Sequence, residues 1–221
     1  MKFAALATDY DGTLAHDGRV DDDTLNALKD ARAGGLRLLL VTGRELSDLA
    51  NTFSHITLFD RVVAENGAVL LNPGTSTVRL LGASPPPALL EALTQRKVPF
   101  SVGHSIVATV TPHERVVAAA IEELSLSWHI IYNKHAVMVL PLSITKATGL
   151  AEALAELDIA AEETVGVGDA ENDVPFLERC GRAVAVANAL PGVIAIADLV
   201  TMAERGAGVR ETIERLRAGD L

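Results

Sequence analysis

The chain has 221 residues, 49% of them apolar, which is enough to pack one generous domain with a smaller insertion and excludes wholesale disorder. Its formal net charge of −10, from 29 acidic against 19 basic residues, lacks the basic surplus of a nucleic-acid binder but does not exclude an anionic substrate, because a bound metal reverses the local field. The single cysteine, Cys180, rules out an intramolecular disulfide. The opening MKFAALATDYDG meets acids too early for a signal peptide, and no apolar stretch approaches the roughly 20 residues that span a bilayer. A cytoplasmic protein with neither membrane nor nucleic-acid partners is expected.

Residues 2–8 are an apolar run that predicts a buried strand. Residues 22–33 predict a helix stopped by Gly34-Gly35, with Asp21-Asp22-Asp23 as its N-terminal cap region. Residues 36–42, 45–53 and 61–64 then predict strand, helix and strand. Such alternation argues for an α/β fold, a parallel sheet covered by helices. Sheets of that kind place ligand chemistry at the carboxyl ends of their strands, where Asp9 and Thr42 fall. Residues 69–71 and 77–81 flank NPGTS and predict a hairpin. GASPPP is the strongest punctuation in the chain and reads as a linker.

Beyond it the pattern changes. A helix over 86–96, a strand over 105–110, and a helix over 112–124 with Pro112 in its first turn are predicted. Two strands, 128–132 and 135–140, follow around the turn Asn133-Lys134. Residues 84–143 therefore read as a small α+β unit inserted into a core made of residues 1–83 and 144–221. The first pattern resumes with a helix over 147–156 and a strand over 164–167. A helix over 173–179, a strand over 183–187, a short helix and a terminal helix complete the chain.

Two acidic clusters carry the chemistry. DYDGTL holds Asp9 and Asp11, and GDAEND holds Asp169, Asn172 and Asp173. Each follows an apolar run, so each falls at a strand end, and they meet only through folding. Taken alone, an Asp-Gly pair is an ordinary turn, and Lys146 an ordinary solvated lysine. Two strand-end clusters tip the balance. Three or four converging carboxylates are unstable without a cation, and oxygen ligands select a hard ion such as Mg²⁺. Thr42 adds a hydroxyl and Lys146 a positive charge. An acid nucleophile, a hard metal, a hydroxyl and a lysine suit phosphoryl transfer through an aspartyl-phosphate.

In order and spacing, DYDGTL, VTGR, KATGL and GDAEND resemble the four motifs of the haloacid dehalogenase superfamily of phosphatases. The insertion after the second motif is similar in position to the C2 cap of the Cof-type, or IIB, branch. ENGA at 65–68 and ANAL at 187–190 also resemble that branch. The resemblance implies a Rossmann-like core with a mostly parallel sheet, plus a small C2-type cap. Residue by residue it implies Asp9 as nucleophile and Asp11 as general acid and base. Thr42, Gly43 and Lys146 match the phosphate-binding positions. Asp9, Asp169, Asp173 and the backbone carbonyl of Asp11 match the Mg²⁺ ligands, with Asn172 as polar support. Arg44 and Asn66 are candidate substrate contacts. Val174-Pro175-Phe176 departs from the methionine-containing helix start of the branch, though proline is tolerated in a first turn.

The expected activity is a Mg²⁺-dependent phosphatase acting on a small phosphorylated metabolite. The small cap is similar to that of archaeal-type phosphoglycolate phosphatases, which makes phosphoglycolate the first named substrate. A sugar-phosphate phosphatase and a phosphomannomutase-like phosphomutase are the alternatives within the family. A phosphoacceptor signalling domain is the rival from another class, but such domains are about half as long and lack the paired D-x-D and G-D-x-x-N-D. Within the cap, His104 and Ser105 lie in one loop and Asn133, Lys134 and His135 in another. Each reads as a polar side chain facing solvent, with substrate contact as the alternative. A homodimer is left open.

Overall fold

The computed structural model describes residues 3–221. Lys2, where the first predicted strand was to begin, lies outside the described residues. The observed strand is β1, Ala5–Thr8, with all four residues buried. Helix α1 (Asp22–Ala33) follows, capped by the Asp21 side chain, which accepts from the Thr24 N–H, and closed by Gly34. Next come β2 (Arg37–Val41), α2 (Leu46–Thr52), β3 (Arg61–Ala64) and the antiparallel pair β4 (Val69–Asn72) and β5 (Thr77–Leu80). Then come α3 (Pro87–Gln95), β6 (Ser101–Val102), β7 (Val107–Val110), α4 (Glu114–Glu123), β8 (Trp128–Asn133) and β9 (Ala136–Pro141). The chain continues through α5 (Lys146–Ala155), β10 (Thr164–Gly168), α6 (Val174–Leu177) and β11 (Arg182–Ala185). It ends with α7 (Pro191–Ile194), β12 (Leu199–Val200) and α8 (Arg205–Ala218).

The larger sheet has eight strands in the order β12-β11-β10-β1-β2-β3-β4-β5. The six from β12 to β3 are parallel, and β4 and β5 add an antiparallel edge. Apolar runs such as Leu38–Leu40 are buried on both faces, as parallel sheets require. Register matters most for function. Thr8 stands level with Val167 on one side and Leu40 on the other. The chain therefore leaves β1, β10 and β2 at neighbouring points, bringing Asp9, Asp169 and Thr42 to one edge.

The smaller sheet, β6-β7-β9-β8, is antiparallel. Its outer face packs on α3 and α4 through Leu89, Leu93, Val117 and Ala120 against Val107 and Val139. On the other face, Met138 and Leu140 join Ala64, Ala68 and Val69 of the larger unit. Strand alternation thus lets one short sheet fill two apolar clusters.

Several boundaries differ from the sequence reading. The strand predicted from 105 begins at Val107, because the backbone N–H of Ser105 is bonded to Glu65 and the Ile106 carbonyl closes a turn with Gly103. Pro112 precedes α4 rather than opening it, since His113 N–H turns back to Val110. Asp173 lies in a 3-10 turn, Glu171–Asp173, ahead of α6. Its carboxylate accepts the backbone N–H groups of Asp169 and Ala170, which closes the turn before the helix can start. Strands β6 and β12 have two residues each, too few to show a periodicity. Among the described residues, no helix is long and apolar enough to cross a membrane.

Candidate active site

Asp9 follows β1 directly, Asp169 follows β10, and Asp173 sits one turn later. All three are buried, and an oxygen from each lies within 4.8 Å of the others. Lys146 is the first residue of α5, placed by a Thr145–Thr148 capping box. It is 1% exposed, and its Nζ donates at 2.5 Å to Asp9 Oδ1 and at 2.5 Å to Asp173 Oδ1. Asp173 Oδ2 accepts the two N–H groups of its own loop, both at 2.9 Å. Asp169 Oδ1 accepts the Thr13 hydroxyl at 2.8 Å, and its Oδ2 accepts Lys134 Nζ at 2.8 Å. Asn188, in the ANAL stretch, donates to the Gly12 carbonyl and braces the loop after β1.

Burial is the main force that raises Asp9 well above the ordinary carboxylate range, and the Asp173 charge adds to it while Lys146 opposes it. Burial also raises Asp169, against the hydrogen bond from Lys134. Burial disfavours a charged Lys146, but the Asp173 and Asp9 charges outweigh it and hold the proton more firmly than usual. Desolvated, mutually repelling carboxylates of this kind are stabilised as anions by a cation. The donor set is all oxygen, so the trio can hold a hard metal ion.

Asp11 stands apart from the trio. Its carboxylate accepts two bonds from Arg44, from Nε at 2.7 Å and Nη2 at 2.8 Å. The same guanidinium donates to Asp48 at 2.6 Å and lies over the Tyr10 ring. Arg44, expected to touch substrate, is thus engaged with Asp11. Thr42 is buried, and its hydroxyl oxygen accepts the Arg44 N–H at 3.1 Å. Asp9, Asp11, Gly43 and Arg44 line one side of a cleft of about 530 Å³. Ser101, Ala108, Asn133, Ala136 and Met138 line the other.

Asn66, the second expected substrate contact, is fully buried. It accepts from Asn172 at 2.8 Å and donates to Met138 Sδ at 2.8 Å. The arrangement makes it a link between the GDAEND loop and the smaller sheet, away from the cleft lining. Asn172 keeps a buried Oδ1 with no partner. His104 and Ser105 are also away from the cleft. Their backbone N–H groups donate to the fully buried Glu65 carboxylate at 3.0 and 2.8 Å. Asn133 lines the cleft, Lys134 reaches Asp169, and His135 is exposed. Sequence reasoning missed Thr13 and Glu65 as partners; DYDGTL and ENGA contained both, but no spacing rule assigns them.

Comparison with known proteins agrees with this geometry. A family model described as haloacid dehalogenase-like hydrolase matches residues 6–105 and 113–213. A phosphoglycolate phosphatase of Methanothermobacter thermautotrophicus is 34% identical over 220 residues, covering 96% of this chain and 97% of the relative. One from Haloarcula marismortui is 30% identical, covering 96% of each. Among solved structures, a haloacid dehalogenase-like hydrolase from Bacteroides thetaiotaomicron superposes with a TM-score of 0.81 at 20% identity. That match covers 97% of this chain and 99% of the other. A subclass IIB sugar phosphatase superposes with a TM-score of 0.78 at 22% identity, over 98% and 99%. At those identities the structural likeness speaks for the fold. The chain belongs to the haloacid dehalogenase-like hydrolases, in the Cof-type phosphatase branch of that family.

Proposed function

We propose that this phosphatase hydrolyses phosphoglycolate, with Mg²⁺, through a phosphorylated Asp9. The observation that carries the reading is the buried meeting of Asp9, Asp169 and Asp173 with Lys146. Full-length similarity to archaeal phosphoglycolate phosphatases supports the substrate.

Asp9 attacks phosphorus in line with the ester oxygen, forming the Asp9–phosphorus bond as the ester bond breaks. Lys146 keeps Asp9 ionised and aimed, and Asp173 fixes Lys146 in turn. The Thr42 hydroxyl accepts from Arg44 N–H, which leaves its proton to donate to a phosphate oxygen, beside the Gly43 backbone. Asp11, paired as a carboxylate with Arg44 in the resting site, must part from Arg44 and take up a proton, which it gives to the departing alkoxide. It then takes a proton from the water that cleaves the phospho-aspartate. Asp9, Asp169, Asp173 and the Asp11 carbonyl would hold Mg²⁺, whose charge offsets that of the phosphate oxygens. Residues 84–143 serve as the cap, excluding water while the ester is cleaved.

Phosphate release from a panel of monoesters tests this. Phosphoglycolate is expected to give the highest kcat/KM, and Asp9→Asn to reduce turnover to background while the protein stays folded. Wild-type turnover by Asp9→Asn would overturn the nucleophile assignment. A sugar phosphate with the higher kcat/KM would overturn the substrate.

A further inference from the structure

The turn between β8 and β9 brings a second lysine to the site. Asn133 pairs with Ala136, so Lys134 and His135 form a two-residue hairpin loop. Lys134 is the first of the two and has a φ of 54°. Glycine ordinarily takes that place in one of the two favoured turns of this length. A larger residue there strains the backbone, and strain of this kind clusters at functional sites.

The side chain crosses from the smaller unit into the catalytic edge of the larger one. Its Nζ reaches Asp169 Oδ2 at 2.8 Å and lies 2.9 Å from where a Cβ on Gly12 would sit. Its backbone N–H donates to Glu171 at 3.3 Å. The Lys134 side chain is 44% exposed, so a ligand can reach it. Lys134 pairs with one carboxylate, Asp169, whereas each neighbouring cation is shared between two: Lys146 between Asp9 and Asp173, Arg44 between Asp11 and Asp48. The side chains that the smaller unit gives to the cleft are neutral, among them Asn133 next to Lys134, and the facing wall adds the acids Glu45 and Asp48. A second anionic group on a substrate would face acids on one wall and neutral side chains on the other, with the Lys134 ammonium next in the chain to the cleft-lining Asn133.

We propose that Lys134 is the specificity-determining residue of the cap. Its ammonium pairs with a carboxylate on the leaving group. The enzyme therefore selects phosphomonoesters of small hydroxy acids over those of neutral alcohols and sugars. The inference rests on the phosphatase reading of the cleft. It deepens that reading by naming the residue that reads the acid.

The test compares phosphoglycolate with ethyl phosphate, whose leaving group is neutral, at saturating Mg²⁺. Lys134→Met is expected to lower the ratio of their kcat/KM values at least tenfold, chiefly through KM for phosphoglycolate. Lys134→Arg restores most of the ratio. Lys134→Gly, which suits the positive φ, lowers it as Met does, so loss of fold cannot account for the change. Calorimetry in the Asp9→Asn background gives a readout without turnover: adding Lys134→Met weakens phosphoglycolate binding by at least tenfold. An unchanged ratio and unchanged affinity in Lys134→Met and Lys134→Gly would overturn the proposal. So would a wild-type enzyme that hydrolyses ethyl phosphate as well as phosphoglycolate. Failure of the phosphatase reading itself looks different: no phosphate released by the wild type from any ester.

Discussion

Substituting Gly67 by alanine tests how Lys146, the partner of Asp9 and Asp173, is positioned. Gly67 has a φ of 108°, and a Cβ there would lie 2.0 Å from the Thr145 carbonyl oxygen and 2.6 Å from its carbon. Thr145 caps α5, and Lys146 is the next residue. Both contacts are backbone, so no side chain can rotate away. The gap to the oxygen must open by about 1 Å to reach the 3.0 Å below which real Cβ contacts essentially do not occur. The φ penalty is about 1–3 kcal/mol, and overpacking adds about 1–3 kcal/mol. Gly67→Ala should therefore lose roughly 2–6 kcal/mol in urea unfolding. A shift of that size under Lys146 should also lower kcat by about 100-fold, the usual consequence of a misplacement of roughly 1 Å. Gly35→Ala is the internal control, with a φ of 93° and nothing within 4 Å of its added carbon. It should show the φ term alone, about 1–3 kcal/mol, and normal kcat. If Gly67→Ala were as stable as Gly35→Ala and fully active, the close approach of residue 67 to Thr145 would not be what places Lys146.

Two further outcomes are expected. Mg²⁺ should raise the melting temperature, because a ligand of the folded state at 100 times its Kd adds about 2.7 kcal/mol, and chelator should reverse the gain; an Mg²⁺ titration that leaves Tm unmoved would count against the acid trio as the metal site. Burial pushes the Cys180 thiol up to about 12, so little reactive thiolate exists in the native protein near neutral pH. Iodoacetamide should label it far more slowly in buffer than in urea at pH 8, and the native rate should still be climbing between pH 9 and 10, where an ordinary thiol levels off. Equal labelling rates with and without urea would refute the burial argument.

The catalytic edge was legible because it depends on two local signals, an apolar run and the acid that ends it. Residues 2–8 and 164–167 both show this, and the parallel register of β1 and β10 turns it into proximity. Strands of the smaller sheet were legible where they are six residues long, as in β8 and β9. Element ends were harder. Pro112 reads as a helix start by propensity, yet the turn at Val110–His113 moves the start to Glu114. Tertiary hydrogen bonds set those limits, and propensity does not contain them.

Side-chain partnerships were the least legible, and two loops of the smaller unit show why. His104-Ser105 and Asn133-Lys134-His135 are both short polar stretches beside strands, so sequence weighs them equally. Two buried carboxylates of the larger unit separate them. Glu65 takes the backbone N–H groups of residues 104 and 105. The two backbone bonds depend little on side-chain identity and tether this loop; the His104 imidazole also reaches Glu65, 3.2 Å from its Oε1. Asp169 takes the ammonium of Lys134, a bond that depends on the side chain itself. The same reasoning divides Arg44 from Asn66: one is held by an acid at the cleft wall, the other by neutral groups in the interior. Of these residues, Arg44 lines the cleft, and Lys134 directly follows Asn133, which also lines it. Charge held in place by its pairing with these acids is positioned to act on an anionic substrate without further reorganisation.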